Sequence, residues 1–194
     1  MFKKYGIRSI SMDDIARELG ISKKTLYQAV DNKTDLVEYL LNYLIEKGDY
    51  NCLKDATKDM NAIDVLLTVS RAVSDEIKEI NPVLSFDLQK FYPTIYRDFV
   101  MKKRDHVYEQ ISRNCQQGIT EGLYRSDLDV ELVSKLYVQK LIEVHNPDFL
   151  SSVEFSFEKI FQVMFDNHIR GIANTVGLTY YENQIKNLNI NTNP

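Results

Sequence analysis

Cysteine is nearly missing from this chain: two residues, Cys52 and Cys115, in 194. That is too few for a disulfide framework, and the pair lacks metal-ligand spacing, so both read as reduced thiols. Glycine (7) and proline (4) are sparse, which excludes a turn-rich fold and argues for long helices. Tryptophan is absent. No apolar run approaches the length that spans a bilayer, and no secretory signal pattern opens the chain. A cytoplasmic protein without membrane contact is therefore expected. His106, His145 and His168 are scattered, with neither H-x3-H nor H-E-x-x-H spacing. No glycine-rich phosphate loop and no G-x-S-x-G occurs. The chain thus offers no catalytic constellation, no metal site and no cofactor motif. Its run of charge at Met101-Lys102-Lys103-Arg104-Asp105 reads as a solvated helix face.

What is present is uneven charge and strong helical periodicity. Net charge is −4, unpromising for a nucleic-acid binder when averaged over the chain. Residues 1–47, however, hold 8 Lys/Arg against 7 Asp/Glu, while 48–194 hold 16 against 21. Within 22–33, three lysines face one aspartate, Asp31. Phosphate binding requires a local basic patch rather than a basic whole.

That patch lies in SMDDIARELGISKKTLYQAVDNK, residues 11–33, which has the pattern of a helix-turn-helix. Ser11 and Asp14 stand at capping-box spacing, the carboxylate also suiting the positive end of a helix dipole. Ile15, Ala16 and Leu19 follow on one face. Gly20 supplies the positive φ that a tight inter-helix turn commonly needs. Ser22 caps a second helix, and Leu26 and Val30 continue the apolar stripe. Ala16, being small, lets the helices cross closely. Lys23, Lys24, Tyr27 and Gln28 fall on the opposite face at three- and four-residue spacing. Two ammoniums, a phenol and an amide suit phosphate and base-edge contacts, and Lys33 precedes the next helix, whose N-terminus also favours a phosphate. The same spacing suits any antiparallel helix pair with a solvated lysine face.

The segment FKKYGIRSISMDDIARELGISKKTLYQAVDNKTDLV resembles the DNA-binding head of the TetR family of transcriptional regulators. Phe2, Gly6, Ser11, Ile15, Ala16, Gly20, Ser22, Thr25, Leu26, Tyr27, Asn32, Lys33 and Leu36 match its pattern without a gap. Ala29 and Val30 depart from it, replacing an aromatic pair and implying looser packing of the second helix. Phe2-Lys3-Lys4-Tyr5-Gly6 corresponds to the end of the family's first helix, most of which would lie before residue 1. A second match is GITEGLYRSDLDVELVSKLY, where Gly118, Gly122, Arg125, Asp127 and Asp129 occupy family positions. The resemblance implies an all-α protein: a helix-turn-helix head over 1–47 and a helical ligand-binding and dimerisation body over 48–194. Its function would be transcriptional regulation, most simply repression released by a small molecule; the alternative is a dimeric small-molecule-binding module that has lost DNA binding.

Periodicity beyond the head predicts helices over 34–47, 62–80, 83–91, 93–121, 129–145 and 153–174. Leu36, Leu40, Tyr43 and Leu44 share one side of the first. Ile63, Leu66, Leu67, Ser70, Val73 and Ile77 line the second, which Asn81-Pro82 stops. Pro93 suits the first turn of the long helix. Asp127 or Asp129 caps the helix after it. Phe157, Phe161 and Phe165 make an i, i+4, i+8 stripe that suits a core seam, a dimer seam or a pocket wall. After Gly177 an asparagine-rich tail is expected to fray.

By the resemblance, the DNA contacts fall to Ser22, Lys23, Lys24, Thr25, Tyr27, Gln28 and Lys33. The partners implied are a double-stranded operator and a second copy of the chain, paired through about 129–174. Phe86, Phe91, Tyr92, Tyr96, Phe99, Tyr108 and Tyr137 fall on helices that line the family's effector cavity, implying a small hydrophobic effector; equally, they fill a core that has no tryptophan.

Overall fold

A computed structural model describes residues 1–47, 56–79, 82–143 and 156–191. Cys52, Asn81 and His145 lie outside the described residues. The described chain is helical: α1 (Phe2–Tyr5), α2 (Met12–Glu18), α3 (Lys23–Ala29), α4 (Lys33–Lys47), α5 (Ala62–Glu79), α6 (Pro82–Phe91), α7 (Pro93–Thr120), α8 (Val130–Glu143), α9 (Phe157–Ile172) and α10 (Thr175–Asn191). Extended pairing among the described residues amounts to an isolated antiparallel bridge between Tyr124 and Ala173. Two compact units form, one from Met1–Cys52 with Asp75–Lys103, the other from Leu53–Ser74 with Arg104–Pro194.

The first unit holds two small cores. Ile10, Met12, Ile15, Ala16 and Leu26 close the seam between α2 and α3, with Phe2, Val30 and Leu36 against them. Ile7, Val37, Leu41 and Leu88 form the other, joined by Leu84, Tyr92, Ile95, Tyr96 and Phe99. These cores correct two sequence readings. Leu19 belongs to the helical stripe by spacing, yet it is 61% exposed. As the C-cap of α2 it sits where the chain is already turning away from the seam. On α4 the buried residues are Val37 and Leu41, while Tyr43 and Leu44 are exposed. The helix serves two cores at once, turning Leu36 to one and its Val37/Leu41 edge to the other.

The second unit is built on one larger core. Ala62, Ile63, Leu66 and Leu67 of α5 meet Ile111 and Cys115 of α7, Tyr137 of α8, Phe165, Ile169 and Ile172 of α9, and Tyr181 of α10. Two polar side chains within it pair: Asn114 donates to the Ala62 carbonyl (2.8 Å), and the Tyr124 hydroxyl donates to Asn114 (3.1 Å). The link after α7 is held by Arg125 N–H donating to the Ile172 carbonyl (2.9 Å) and Asn174 N–H donating to the Leu123 carbonyl (3.0 Å). Asp129 caps α8 by accepting from the Leu132 amide at 3.0 Å. Phe161 and Phe165 are buried, their rings 6.3 Å apart. The frayed tail expected after Gly177 is overturned: α10 continues to Asn191. Tyr181, 3% exposed, anchors it in the core, and Leu178 and Ile185 pack alongside. No helix among the described residues is long and apolar enough to cross a membrane.

Candidate nucleic-acid interface

The head is assembled by caps at each end of short helices. The Ser11 hydroxyl accepts from the Asp14 amide (3.1 Å), and the Asp14 carboxylate accepts from the Ser11 amide (2.9 Å), a reciprocal box. Hydrogen bonds from the Ser11 side chain and backbone hold the Asp14 carboxyl below the usual carboxylate range. At the other end Gly20 takes φ +65°, and the Ile21 amide donates back to the Ala16 carbonyl at 3.0 Å. A β-branched or bulky residue there would be strained, which is why the turn falls on glycine. Ser22 opens α3, accepting from the Thr25 amide at 3.0 Å, and its hydroxyl meets that of Thr25 at 2.7 Å. Asn32 opens α4 in the same manner, accepting from the Asp35 amide at 3.1 Å.

These caps, with Leu26 buried in the seam, decide which way α3 faces. Ser22, Lys23, Lys24, Thr25, Tyr27 and Gln28 are all exposed. They do not all stand equally ready. Lys23 forms a 2.7 Å ion pair with Asp13 of α2, and that hydrogen bond raises its pKa. Ser22 and Thr25 spend part of their hydrogen-bonding capacity on the cap. Lys24, Tyr27 and Gln28 project from successive turns of the exposed face. Val30 is half-buried against the seam.

Lys33 is placed differently from the rest. Its ammonium turns inward and donates to the carbonyls of Ile7 (2.5 Å) and Ile10. Burial lowers its pKa, while Asp87 and Asp14 act in the opposite direction. Two partners escaped sequence reasoning: Asp13, which shares Lys23, and Asp87, eighty residues from the amide it binds. Asp87 carries a faint signal, a carboxylate set between Leu84 and Leu88 on an apolar helix face.

The aromatic residues assigned to an effector cavity scatter. Phe86 (57%) and Phe91 (40%) are exposed, with Lys90 over both rings and Arg8 over Phe91. Tyr92, Tyr96 and Phe99 pack on the Ile7–Leu88 core. In the other unit Tyr108 is partly buried and Tyr137 is buried, stacked on His168 with ring centroids 3.8 Å apart.

Residues 1–40 match the family described as bacterial regulatory proteins, tetR family. Two curated relatives are named as the HTH-type transcriptional repressor KstR2. That of Rhodococcus jostii is 24% identical over 135 residues, covering 68% of this chain and 66% of its own length. That of Mycolicibacterium smegmatis is 28% identical over 147 residues, covering 69% and 66%. The chain thus aligns with slightly under two thirds of each relative. Among solved structures, a transcriptional regulator from Cytophaga hutchinsonii superimposes with a TM-score of 0.70 at 19% identity, covering 89% of this chain and 93% of that one. The helix-turn-helix with its two caps, its glycine turn and its buried leucine seam is the part that the tetR family description matches.

Proposed function

We propose that this protein is a DNA-binding transcriptional regulator rather than an enzyme, acting in the cytoplasm as a homodimeric repressor that a small molecule releases from its operator. The observation that carries this reading is the exposed α3 face, with Lys24, Tyr27 and Gln28 held outward by the buried Leu26. Residues 1–47 serve as the DNA-binding part. Lys24, Tyr27 and Gln28 take the base and phosphate contacts, with Ser22, Lys23 and Thr25 at the phosphates. A major groove accepts such a helix, and a dimer would read half-sites about 34–36 Å apart or a multiple of that.

Residues 48–194 serve for effector binding and dimerisation, with the pairing surface at about 129–174. Leu132 and Leu136 on α8 and Val163 on α9 are exposed apolar residues of that region. The effector is a small, mostly hydrophobic molecule that acts by binding one dimer state better than another. Among the aromatic candidates of the first unit, partly buried Tyr92, Tyr96 and Phe99 suit a cavity wall better than exposed Phe86 and Phe91; in the second unit, taken by itself, the candidates are partly buried Tyr108 and buried Tyr137.

A gel shift with duplex from upstream of the protein's own gene tests the reading. A shift that resists unrelated competitor and weakens steeply as salt rises is the expected result. Absence of any sequence-dependent shift would reject it.

A further inference from the structure

We infer that Asp87 and Lys33 are positioning residues of the DNA-reading head: they clamp the Gly6–Ile10 segment through its amides and its carbonyls respectively, and so tie the setting of α2 and α3 to α6. The inference rests on the DNA-binding reading above. Among the described residues Asp87 is the one buried carboxylate, 4% exposed. Its Oδ2 accepts from the amides of Ile7 (2.7 Å) and Arg8 (2.8 Å). A carboxylate on two backbone donors makes charge-assisted bonds, stronger than neutral ones. The carbonyl of the same Ile7 accepts from Lys33 of α4, as does that of Ile10. Ile7 is therefore held at both its amide and its carbonyl, by two helices distant in sequence.

The surroundings are built for this grip. Gly6 adopts φ +77°, and a Cβ there would lie 2.8 Å from Val83 Cγ1 and 2.9 Å from Asp87 Oδ2. Glycine is what lets the α6 carboxylate reach the backbone. The Ile7 side chain is fully buried among Val37, Leu41 and Leu88. At the far end of the segment Ile10 enters the α2–α3 seam beside Leu26, and Ser11 begins the α2 cap. Movement of α6 is thus passed to the segment, then to the α2 cap, then to α3.

The clamp and a purely electrostatic view predict opposite signs. Removing an aspartate from a DNA-binding unit should, by charge alone, strengthen attraction to phosphate; removing a clamp weakens recognition. Likewise a lysine on a phosphate contributes about 0.9 to the slope of log affinity against log salt, whereas a clamp lysine contributes little.

The test uses the full chain with Asp87→Ala, Asp87→Asn and Lys33→Met, the last two keeping an acceptor oxygen or an apolar stem should the first fail to fold. Binding to the upstream duplex and to an unrelated duplex is measured across salt, and amide exchange is followed in the DNA-free protein. Asp87→Ala should lose about tenfold or more of upstream-duplex affinity, as orphaned buried amides imply, and keep its affinity for the unrelated duplex. Asp87→Asn should fall between it and the parent. Lys33→Met should lose specific affinity with its salt slope intact. Exchange should quicken over 7–10 and through 12–29, while 130–143 stays protected. Unchanged or tighter upstream binding by Asp87→Ala, a slope lowered by about one phosphate in Lys33→Met, or faster exchange confined to 7–10 would each overturn the inference. If the parent chain binds no duplex, the DNA-binding reading fails, and exchange through 12–29 alone decides the clamp.

Discussion

One buried leucine orients the whole proposed recognition surface. With Leu26 in the seam, its neighbours on α3 face outward, and their partners then separate their roles. Lys23 is shared with Asp13 and Lys33 is spent on backbone carbonyls, which leaves Lys24 as the lysine best placed for phosphate. Lys24→Ala should therefore weaken binding to every duplex alike and lower the salt slope by about one; a titration of affinity against salt checks this. In the other unit His168 stacks on Tyr137, and its Nε2 is buried without a hydrogen-bond partner among the described residues. Burial, aided by the Lys140 charge, lowers its pKa from 6.5 to about 4. The folded state thus resists protonation that the unfolded chain accepts. Its stability contribution is complete above the unfolded value near 6.5 and is lost progressively as pH falls toward 4, an effect on the order of 1–3 kcal/mol. Denaturant unfolding between pH 7 and 4 should show this decline, and His168→Phe should flatten it.

Elements with strong local signals were legible from sequence. The capping box and the Ser22 cap depend on groups three residues apart, and the glycine turn and the proline start of α7 on single residues, so local sequence alone reveals them. The α4 face was not, because that helix divides its surface between two cores. Nor was α10, where asparagine-rich local preference loses to the burial of Tyr181. The inward turn of Lys33 escaped for a similar reason: its partners are carbonyls 23 and 26 residues away. Glycines test how α9 and α10 are placed. A Cβ at Gly177 would meet the Leu123 carbonyl oxygen at 2.0 Å, while one at Gly171 meets nothing within 4 Å. Gly177→Ala should destabilise by about 1–3 kcal/mol or more through overpacking. Gly171→Ala, in a helix, should stabilise by about 0.5–1 kcal/mol. Thermal unfolding of the two variants should move in opposite directions.

For the whole molecule, a net charge of −4 is compatible with duplex binding because the attraction is concentrated on one short helix. The modest basic surplus of the head implies weak non-specific affinity, so under the proposed function specificity comes from base edges and from the symmetry of the proposed dimer. Selecting duplexes from a random pool with the parent chain and with Gln28→Ala decides whether the α3 face reads sequence. The parent should enrich two symmetric half-sites about one helical turn, or a multiple of it, apart. Gln28→Ala should lose preference at one position in each half, at a cost of about 1–3 kcal/mol in discrimination. A pool that stays random with the parent, or an enriched site that Gln28→Ala leaves unchanged, would contradict it.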